Sequence, residues 1–283
     1  MNSMEKQKHP MTEHPAPAAF GSGSGVLTVF QCQDSPDGIL TGIYDAWASR
    51  LGHENLRLEI GENANYEFFR QYRTVEPDGE KAEKVARTIR QRLGEEAWHH
   101  IYHAMLSQEP EKAEAVYRTV VLGLSSRSGR AGIAVRFMEN LANPHIFQVF
   151  RLSRTVASEA HRYLGFLRFR EMQGGFLFSE IAPEGQILPL IGDHFADRYP
   201  LEHFLIYDRH HETFLLHQAG KAWVLLEETA FHRELLAESE EEREFSRLWQ
   251  RFVTAIAIPD RRNPILQRQM LPLKFRKFMT EKF

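Results

Sequence analysis

Apolar residues recur at two different spacings along the 283-residue chain, and the spacing changes near Tyr163. Before Tyr163 they fall mostly three or four residues apart, which is typical of amphipathic helices. A helix is expected to start at Asp34-Ser35-Pro36-Asp37, with a capping carboxylate and an early proline. Further helices are predicted near residues 78–92, 95–107, 111–124, 133–141 and 144–164. A short strand at 26–31 precedes them, and residues 55–75 predict loops with a short extended piece.

After Tyr163 the apolar residues alternate with polar ones, the pattern of strands that are half buried. The strings GFLRFREM, GGFLFSEI, HFLIYDRH, ETFLLHQ and AWVLLEE each predict a strand. Between the second and third of them, residues 187–199 predict one helix that crosses the sheet. Two strands, a helix and three strands predict an antiparallel sheet with one covered face.

The order of these elements predicts an α+β fold with an N-terminal helical region, an antiparallel sheet with a crossing helix, and a C-terminal helical tail. Residues 1–25 are polar and rich in Pro, Ala and Gly, and we expect a disordered tail there. The expected regions that follow are 26–160, mainly helical, 161–230, the sheet with its helix, and 231–283, the last helices. We expect 26–283 to form one unit.

Composition narrows the class of protein. With 42% apolar and 26% charged residues, the chain suits a globular protein. Cys32 is the single cysteine, so an internal disulfide, a four-thiolate zinc site and an iron–sulfur cluster are excluded. No apolar run approaches the roughly 20 residues that span a bilayer, and the first residues lack the apolar core of a secretory signal. We therefore expect a cytoplasmic protein with no membrane association, no metal and no cofactor.

The formal net charge of -3 conceals three charged segments. Residues 243–283 hold ten Lys and Arg residues against three Asp and Glu, whereas 227–242 hold seven Glu against one Arg. Residues 151–170 add five Arg against one Glu. Basic residues that alternate with Phe166 and Phe169, or with Phe275 and Phe278, are typical of surfaces that bind phosphates and stack on bases. The alternative is a solvated face, or a basic helix paired with the acidic one.

Two groups are candidates for phosphate contact. Arg162, Arg168 and Arg170 lie at the junction of a helix and a strand, where they either face nucleic acid or pair with Glu171 and Glu180. The second group lies around the start of the tail helix, where an Asn-Pro step caps the helix beside several guanidinium groups. Its members are Arg261, Arg262, Asn263, Gln267 and Arg268.

One group is a candidate for acid–base chemistry. On the crossing helix, Asp193 and Asp197 share one face, and His194 and Arg198 share the adjacent face. A carboxylate there would orient the imidazole, or the guanidinium would hold a phosphate. The alternative is that these side chains only bind the ends of strands, for example at Asp208. His99 and His103 also share a helix face, but no third ligand lies at metal spacing.

Four strings resemble a widespread bacterial family of unknown function that is associated with DNA repair or DNA metabolism. They are EAHRYLGFLRFRE (159–171), ILPLIGDHFADRYP with HFLIYDRHH (187–211), AIAIPDRRNPILQ (255–267) and QRQMLP (267–272). The resemblance extends over roughly residues 26–283. It implies a neighbouring gene for a radical-SAM protein with helix-hairpin-helix character, and in some members a related domain fused to a uracil-DNA glycosylase-like module. The family supplies no catalytic residues to transfer.

Three functions follow as hypotheses. The first is a DNA-repair protein that binds nucleic acid through Arg and Lys surfaces and acts with a radical-SAM partner. The second is a hydrolase acting on DNA, a nuclease or a glycosylase-like enzyme, that uses the Asp193/His194/Asp197/Arg198 helix. The third is a protein-interaction module without nucleic-acid binding. With one cysteine, the chain itself cannot hold the cluster of a radical-SAM enzyme.

Overall fold

A computed structural model describes residues 26–61, 67–125, 137–227, 237–258 and 263–279. The predicted tail at 1–25 lies outside these ranges. The helices are α1 Pro36–Ala48, α2 Gly79–Leu93, α3 Glu95–Met105, α4 Lys112–Ser125, α5 Pro144–Phe166, α6 Leu188–Arg198, α7 Glu240–Ile256, α8 Pro264–Met270 and α9 Leu273–Arg276. The strands are β1 Leu27–Cys32, β2 Leu56–Ile60, β3 Arg70–Val75, β4 Arg170–Met172, β5 Phe176–Ile181, β6 Phe204–Asp208, β7 Thr213–His217 and β8 Val224–Glu227.

The α+β class is confirmed, and five of the six predicted helices before Tyr163 match α1 to α5 within a few residues. Of the helix expected at 133–141, the described part is a 3-10 turn at Phe137–Glu139. The α1 helix begins as expected, but its cap is Ser35, whose Oγ accepts a hydrogen bond from Gly38 N at 3.0 Å. The carboxylate of Asp34 is therefore free to form a different contact.

The segment 55–75 contains more structure than its sequence predicted. Strands β2 and β3 both run parallel to β1, in the order β2-β1-β3. In β2 only Leu56 and Leu58 are buried, and in the edge strand β3 only Val75 is buried. An edge strand exposes most of its side chains, so its sequence carries little of the apolar alternation that identifies a strand.

The second sheet has the order β4-β5-β6-β7-β8. Its pairs are antiparallel except β5 with β6, which run parallel because α6 returns the chain to the same end of the sheet. The strand predicted from residue 165 is shorter than expected. Helix α5 continues to Phe166, where the burial of Tyr163 keeps the helical period, and β4 begins at Arg170.

Helix α5 joins two hydrophobic cores. Its first half places Val149 and Leu152 in a core with α1 to α4 and the parallel sheet. Its second half places Val156 and Tyr163 in a core with α6 and the second sheet. The exposed side of α5 is thus held against both halves of the fold. None of the helices in the described ranges is long and apolar enough to cross a bilayer.

Three histidines of α3 lie close together. The rings of His99 and His103 are 3.9 Å apart between centroids, and His100 Nδ1 lies 3.0 Å from Ser153 Oγ on α5. The side chain of His103 is buried, with 8% exposed. Burial, with a smaller effect from His99 and His100, lowers the pKa of His103 to about 4.

Acid should therefore destabilise the protein through His103. Its folded pKa lies below its unfolded value, so its contribution to stability is complete above about pH 6.5. That contribution is lost as the pH falls toward 4, and the loss amounts to about 3 kcal/mol. Urea unfolding of wild type and His103→Leu at pH 7 and pH 4.5 measures it, with the exposed His161→Gln as control. Equal pH dependence of wild type and His103→Leu would contradict this assignment.

Candidate nucleic-acid interface

The exposed side of α5 carries a row of basic and hydroxyl side chains. Asn143 starts the helix by accepting hydrogen bonds from His145 N and Ile146 N at 3.0 and 3.3 Å, with Pro144 at the first position. Further along, Arg154, Ser158 and Arg162 are exposed and follow each other at intervals of four residues. This spacing puts them on one face, over a length of about 12 Å.

The tail helix α9 docks beside this row through one aromatic residue. Phe275 has 2% of its surface exposed, and its ring packs edge-on against Tyr163 of α5 at 4.9 Å between centroids. Phe166 lies 5.1 Å from the same ring. Because Phe275 is buried, the preceding residue, Lys274, is held next to the exposed face of α5.

A carboxylate joins α5, α9 and the loop that precedes α6. Glu159 Oε1 accepts a hydrogen bond from Lys274 Nζ at 2.8 Å, and its Oε2 accepts from Glu184 N and Gly185 N at 3.1 and 2.9 Å. Glu184 also contacts Lys274, at 3.2 Å. The side chain of Glu159 is only 8% exposed, so this contact fixes the position of Lys274.

Lys274 remains a cation at physiological pH. Its partial burial lowers its pKa, but hydrogen bonds and charges from Glu159 and Glu184 together outweigh that effect and raise the pKa above its ordinary value. With Arg154 and Arg162, it gives three positive charges around a shallow pocket of about 320 Å³, which Thr155 and Ser158 also line. We call Arg154, Thr155, Ser158, Arg162 and Lys274 the cationic surface.

The two guanidinium groups of the cationic surface have no acidic partner. In the described part of the chain, neither Arg154 nor Arg162 forms an ion pair, and Arg154 lies over the ring of Phe150 at 5.9 Å. Unpaired guanidinium groups beside hydroxyls suit phosphate oxygens, which accept charge-assisted hydrogen bonds from both.

Of the residues predicted at the helix–strand junction, only Arg162 belongs to the cationic surface. Arg168 donates to the carbonyl oxygens of Gly165 and Leu167 at 2.9 and 3.1 Å, where α5 ends. Arg170 pairs with Glu238 at 2.7 Å, instead of with Glu171 or Glu180. Both are held by the protein itself.

The acidic segment is responsible for covering Arg170. It lies along the edge strand β4, where Ser239 N donates to Glu171 O at 3.1 Å and Glu171 N donates to Glu242 Oε2 at 3.2 Å. The basic segment 151–170 is therefore divided: its first part faces solvent beside Lys274, and its end contacts the acidic segment.

The second predicted group lies on and before α8. Arg261 and Arg262 are outside the described residues. Asn263 caps α8, and its Oδ1 accepts from Leu266 N at 3.0 Å, while Arg268 Nε donates to Pro264 O at 3.2 Å. Gln267 and Arg268 are exposed. The helix has seven residues, too few to build an anion site from its end alone.

The aromatic rings expected to stack on bases are mostly internal. Phe275 is in the core, and Phe169 packs against Phe195 and Phe204, at 5.5 and 5.4 Å between centroids. Phe166 packs against the same core. These three rings hold elements together and are not available for stacking.

The predicted acid–base group is spread over the outer face of α6. Asp193, His194, Asp197 and Arg198 are all exposed. Asp193 Oδ1 accepts a hydrogen bond from Trp223 Nε1 at 2.7 Å, and Gly192 allows this close approach, since a Cβ there would lie 2.6 Å from the indole. Arg198 lies over the ring of Tyr199 at 5.7 Å. Within the described ranges, no three His, Cys, Asp or Glu side chains converge to hold a metal ion.

The sequence interpretation did not select Arg154 and Lys274 as site residues. Arg154 was recognisable from its spacing with Arg162, eight residues or two helical repeats of four. Lys274 was not, because 112 positions separate it from Arg162 and only the burial of Phe275 brings the two together.

Comparison with known proteins identifies a family but no function. No curated protein matches the chain significantly. A solved structure described as a DHH-domain member of a family of ribosomal proteins aligns with 68% of this chain and 74% of its own, at 11% identity and a TM-score of 0.30. So distant a likeness carries no argument. The model of the domain of unknown function DUF4130 matches residues 110–281, more than half of the chain. This chain therefore belongs to the DUF4130 family.

Proposed function

We propose that this protein binds nucleic acid through the cationic surface and acts in DNA repair or DNA metabolism together with a radical-SAM partner. The observation that supports binding most directly is that Arg154 and Arg162 are exposed, share one helix face and have no acidic partner in the described residues. The repair context and the partner rest on the family resemblance of the sequence.

The chemistry of the cationic surface suits a phosphate backbone. Guanidinium groups bind phosphate with two parallel hydrogen bonds, Lys274 adds a compact charge, and the hydroxyls of Thr155 and Ser158 supply uncharged donors. Such contacts position a strand without reading its sequence. We therefore expect binding that is strongly dependent on salt and weakly dependent on sequence.

The internal position of Phe166, Phe169 and Phe275 sharpens this expectation. Proteins that prefer single strands generally stack bases on exposed aromatic rings. Since these three rings pack in the core, the cationic surface contacts phosphates alone. We expect single- and double-stranded DNA of equal length to bind with similar affinity at a given salt concentration.

The double variant Arg154→Ala/Arg162→Ala should weaken binding to both kinds of DNA. Each arginine that contacts a phosphate contributes about 0.9 to the slope of log K against log salt on duplex DNA and about 0.7 on a single strand. Removing two contacts should lower the duplex slope by about 2 and leave sequence preference unchanged. Fluorescence anisotropy with labelled oligonucleotides across a salt series measures both quantities.

A matched control removes the same charge elsewhere. Arg87 and Arg92 are exposed on α2, so Arg87→Ala/Arg92→Ala changes the net charge equally and should keep the wild-type slope. An unchanged slope in the Arg154/Arg162 variant would refute the assignment of the surface. Absence of any salt-sensitive DNA binding by the wild type would refute the proposed function itself.

The hydrolase hypothesis remains a prediction and is separable from binding. It expects activity on damaged DNA that His194→Ala abolishes while the variant stays folded. The exposed, dispersed position of Asp193, His194, Asp197 and Arg198 on α6 offers it no specific support.

A further inference from the structure

A second pocket lies where three strands end. It has a volume of about 520 Å³ and is lined by residues that follow β1, by the start of α6, and by the turn between β6 and β7. Strand β1 is the central strand of the parallel sheet, and β6 is one of the two parallel strands in the other sheet. Ligands of sheets with parallel strands bind beyond the carboxyl ends of those strands, which is the position of this pocket.

An aspartate and a histidine face each other at this pocket. Asp208 is completely buried, and its Oδ2 lies 2.7 Å from Nδ1 of His211, whose side chain is 19% exposed. The other oxygen, Oδ1, accepts hydrogen bonds from His210 N and His211 N at 2.9 and 3.3 Å. Three hydrogen bonds therefore hold the carboxylate in one orientation.

This geometry determines what the imidazole presents to the pocket. An ionised carboxylate only accepts hydrogen bonds, so Nδ1 of His211 must carry the proton. In neutral His211 the second nitrogen, Nε2, is then a bare acceptor, and it has no hydrogen-bond partner in the described residues. A carboxylate that fixes the tautomer of an imidazole in this way is the arrangement of an acid–base pair.

The opposite wall of the pocket is built as firmly as the pair. Asp34 Oδ1 contacts Nζ of the buried Lys112 at 2.5 Å, and its carbonyl oxygen accepts a hydrogen bond from Gln186 Nε2 at 3.0 Å. Gln186 N in turn donates to Leu106 O at 2.8 Å. Gln186 Oε1 is left to accept a hydrogen bond from a ligand.

The lining determines the class of ligand. Leu188, Pro189 and Leu225 supply apolar contact, while Gln33 and Gln186 supply amides. Glu212 and Glu227 also line the pocket, and neither forms an ion pair in the described part of the chain. Their charges oppose an anion, whereas a flat heterocycle with apolar faces and N–H groups at its edge satisfies all three kinds of lining.

We propose that this pocket binds an uncharged nucleoside-sized heterocycle, and that Nε2 of His211, held by Asp208, accepts a proton or a hydrogen bond from its N–H or O–H group. The volume is within the range of small-molecule sites. The proposal does not depend on nucleic-acid binding by the cationic surface, which includes none of these residues.

Calorimetric titration with adenosine, cytidine, guanosine and uridine, each beside its 5′-monophosphate, tests the proposal on the full chain. At least one nucleoside should bind, and its monophosphate should bind about tenfold more weakly because of Glu212 and Glu227. His211→Gln should weaken nucleoside binding about tenfold through the lost hydrogen bond. The control His194→Gln changes an exposed histidine of α6 and should bind as wild type.

A second variant keeps the test decisive if His211→Gln does not fold. Glu212→Gln/Glu227→Gln removes only exposed charges and should bring the monophosphate to within about twofold of the nucleoside. The proposal is overturned if no nucleoside binds more tightly than about 10 mM, if a folded His211→Gln binds as wild type, or if monophosphates bind more tightly than nucleosides. Loss of DNA binding in Arg154→Ala/Arg162→Ala would leave these results unaffected.

Discussion

Asp34→Ala is expected to lower the free energy of unfolding by about 3 kcal/mol, because it leaves a buried ammonium group without its counter-charge. The side chain of Lys112 is 1% exposed, and its Nζ contacts Asp34 Oδ1 at 2.5 Å and the carbonyl oxygen of Ser107. Burial lowers the pKa of Lys112, although the charge and hydrogen bond of Asp34 oppose that shift. Asp34 thus compensates the cost of an ion that water does not reach.

Lys112→Met should be much less harmful than Asp34→Ala. The methionine fills a similar volume without a charge, and Asp34, which is 50% exposed, can be hydrated when its partner is gone. The expected cost is about 1 kcal/mol, mainly from the unpaired carbonyl of Ser107. The double variant should be close to Lys112→Met alone, so the two substitutions are strongly non-additive.

Urea unfolding of the two single variants and the double variant gives the three free energies. Equal losses for Asp34→Ala and Lys112→Met would show that Lys112 is hydrated in the folded protein. Additive losses would show that the contact contributes nothing. Asp34 also lines the pocket of Asp208 and His211, so the same variants report on how firmly that wall is held.

Phe275→Ala is the second large effect that we expect, and it acts on stability and on nucleic-acid binding together. The ring is almost completely buried between Tyr163 and Phe166. Truncating a buried phenylalanine costs about 3 kcal/mol through lost apolar contact and the cavity that remains. Because Phe275 holds α9 on α5, its loss should also release Lys274 from Glu159 and lower the affinity for DNA.

Hydrogen exchange separates release of the tail from global unfolding. In Phe275→Ala, amides of residues 264–279 should exchange faster while those of α1 to α4 stay protected. Phe278→Ala is the matched control, since it removes a partly exposed ring three residues later and should change neither protection nor DNA binding. Unchanged protection and unchanged affinity in Phe275→Ala would contradict the docking of α9 as the cause.

The largest gain from the structure concerns charge. The sequence showed basic segments at 151–170 and 243–283 and an acidic one at 227–242, but their one-dimensional order did not say which of them meet. Arg170 pairs with Glu238 of the acidic segment, whereas Arg154 and Arg162 meet Lys274 at a pocket open to solvent. Charge pairing depends on distances of a few ångströms in space, which the spacing of residues along a chain does not contain.

The same distinction explains the pocket of His211. His210-His211 followed a predicted strand, and the turn was expected to expose both. The register of β6 and β7 buries Asp208 at the strand end, and the Asx-type turn that it caps brings the imidazole of His211 back to its carboxylate. The sequence contains both residues three positions apart, yet only the pairing of two strands makes one of them a buried partner.

What the sequence by itself determined is the local structure. Apolar spacing located α1 to α5 and the crossing helix α6, and alternation located β5 to β8, because these periods are set by the geometry of a single helix or strand. Tertiary structure alone decided that β2 and β3 flank β1, that Ser35 and not Asp34 caps α1, and that Phe275 brings Lys274 to α5. These outcomes depend on contacts between distant segments, in which burial of one side chain fixes the position of its neighbours.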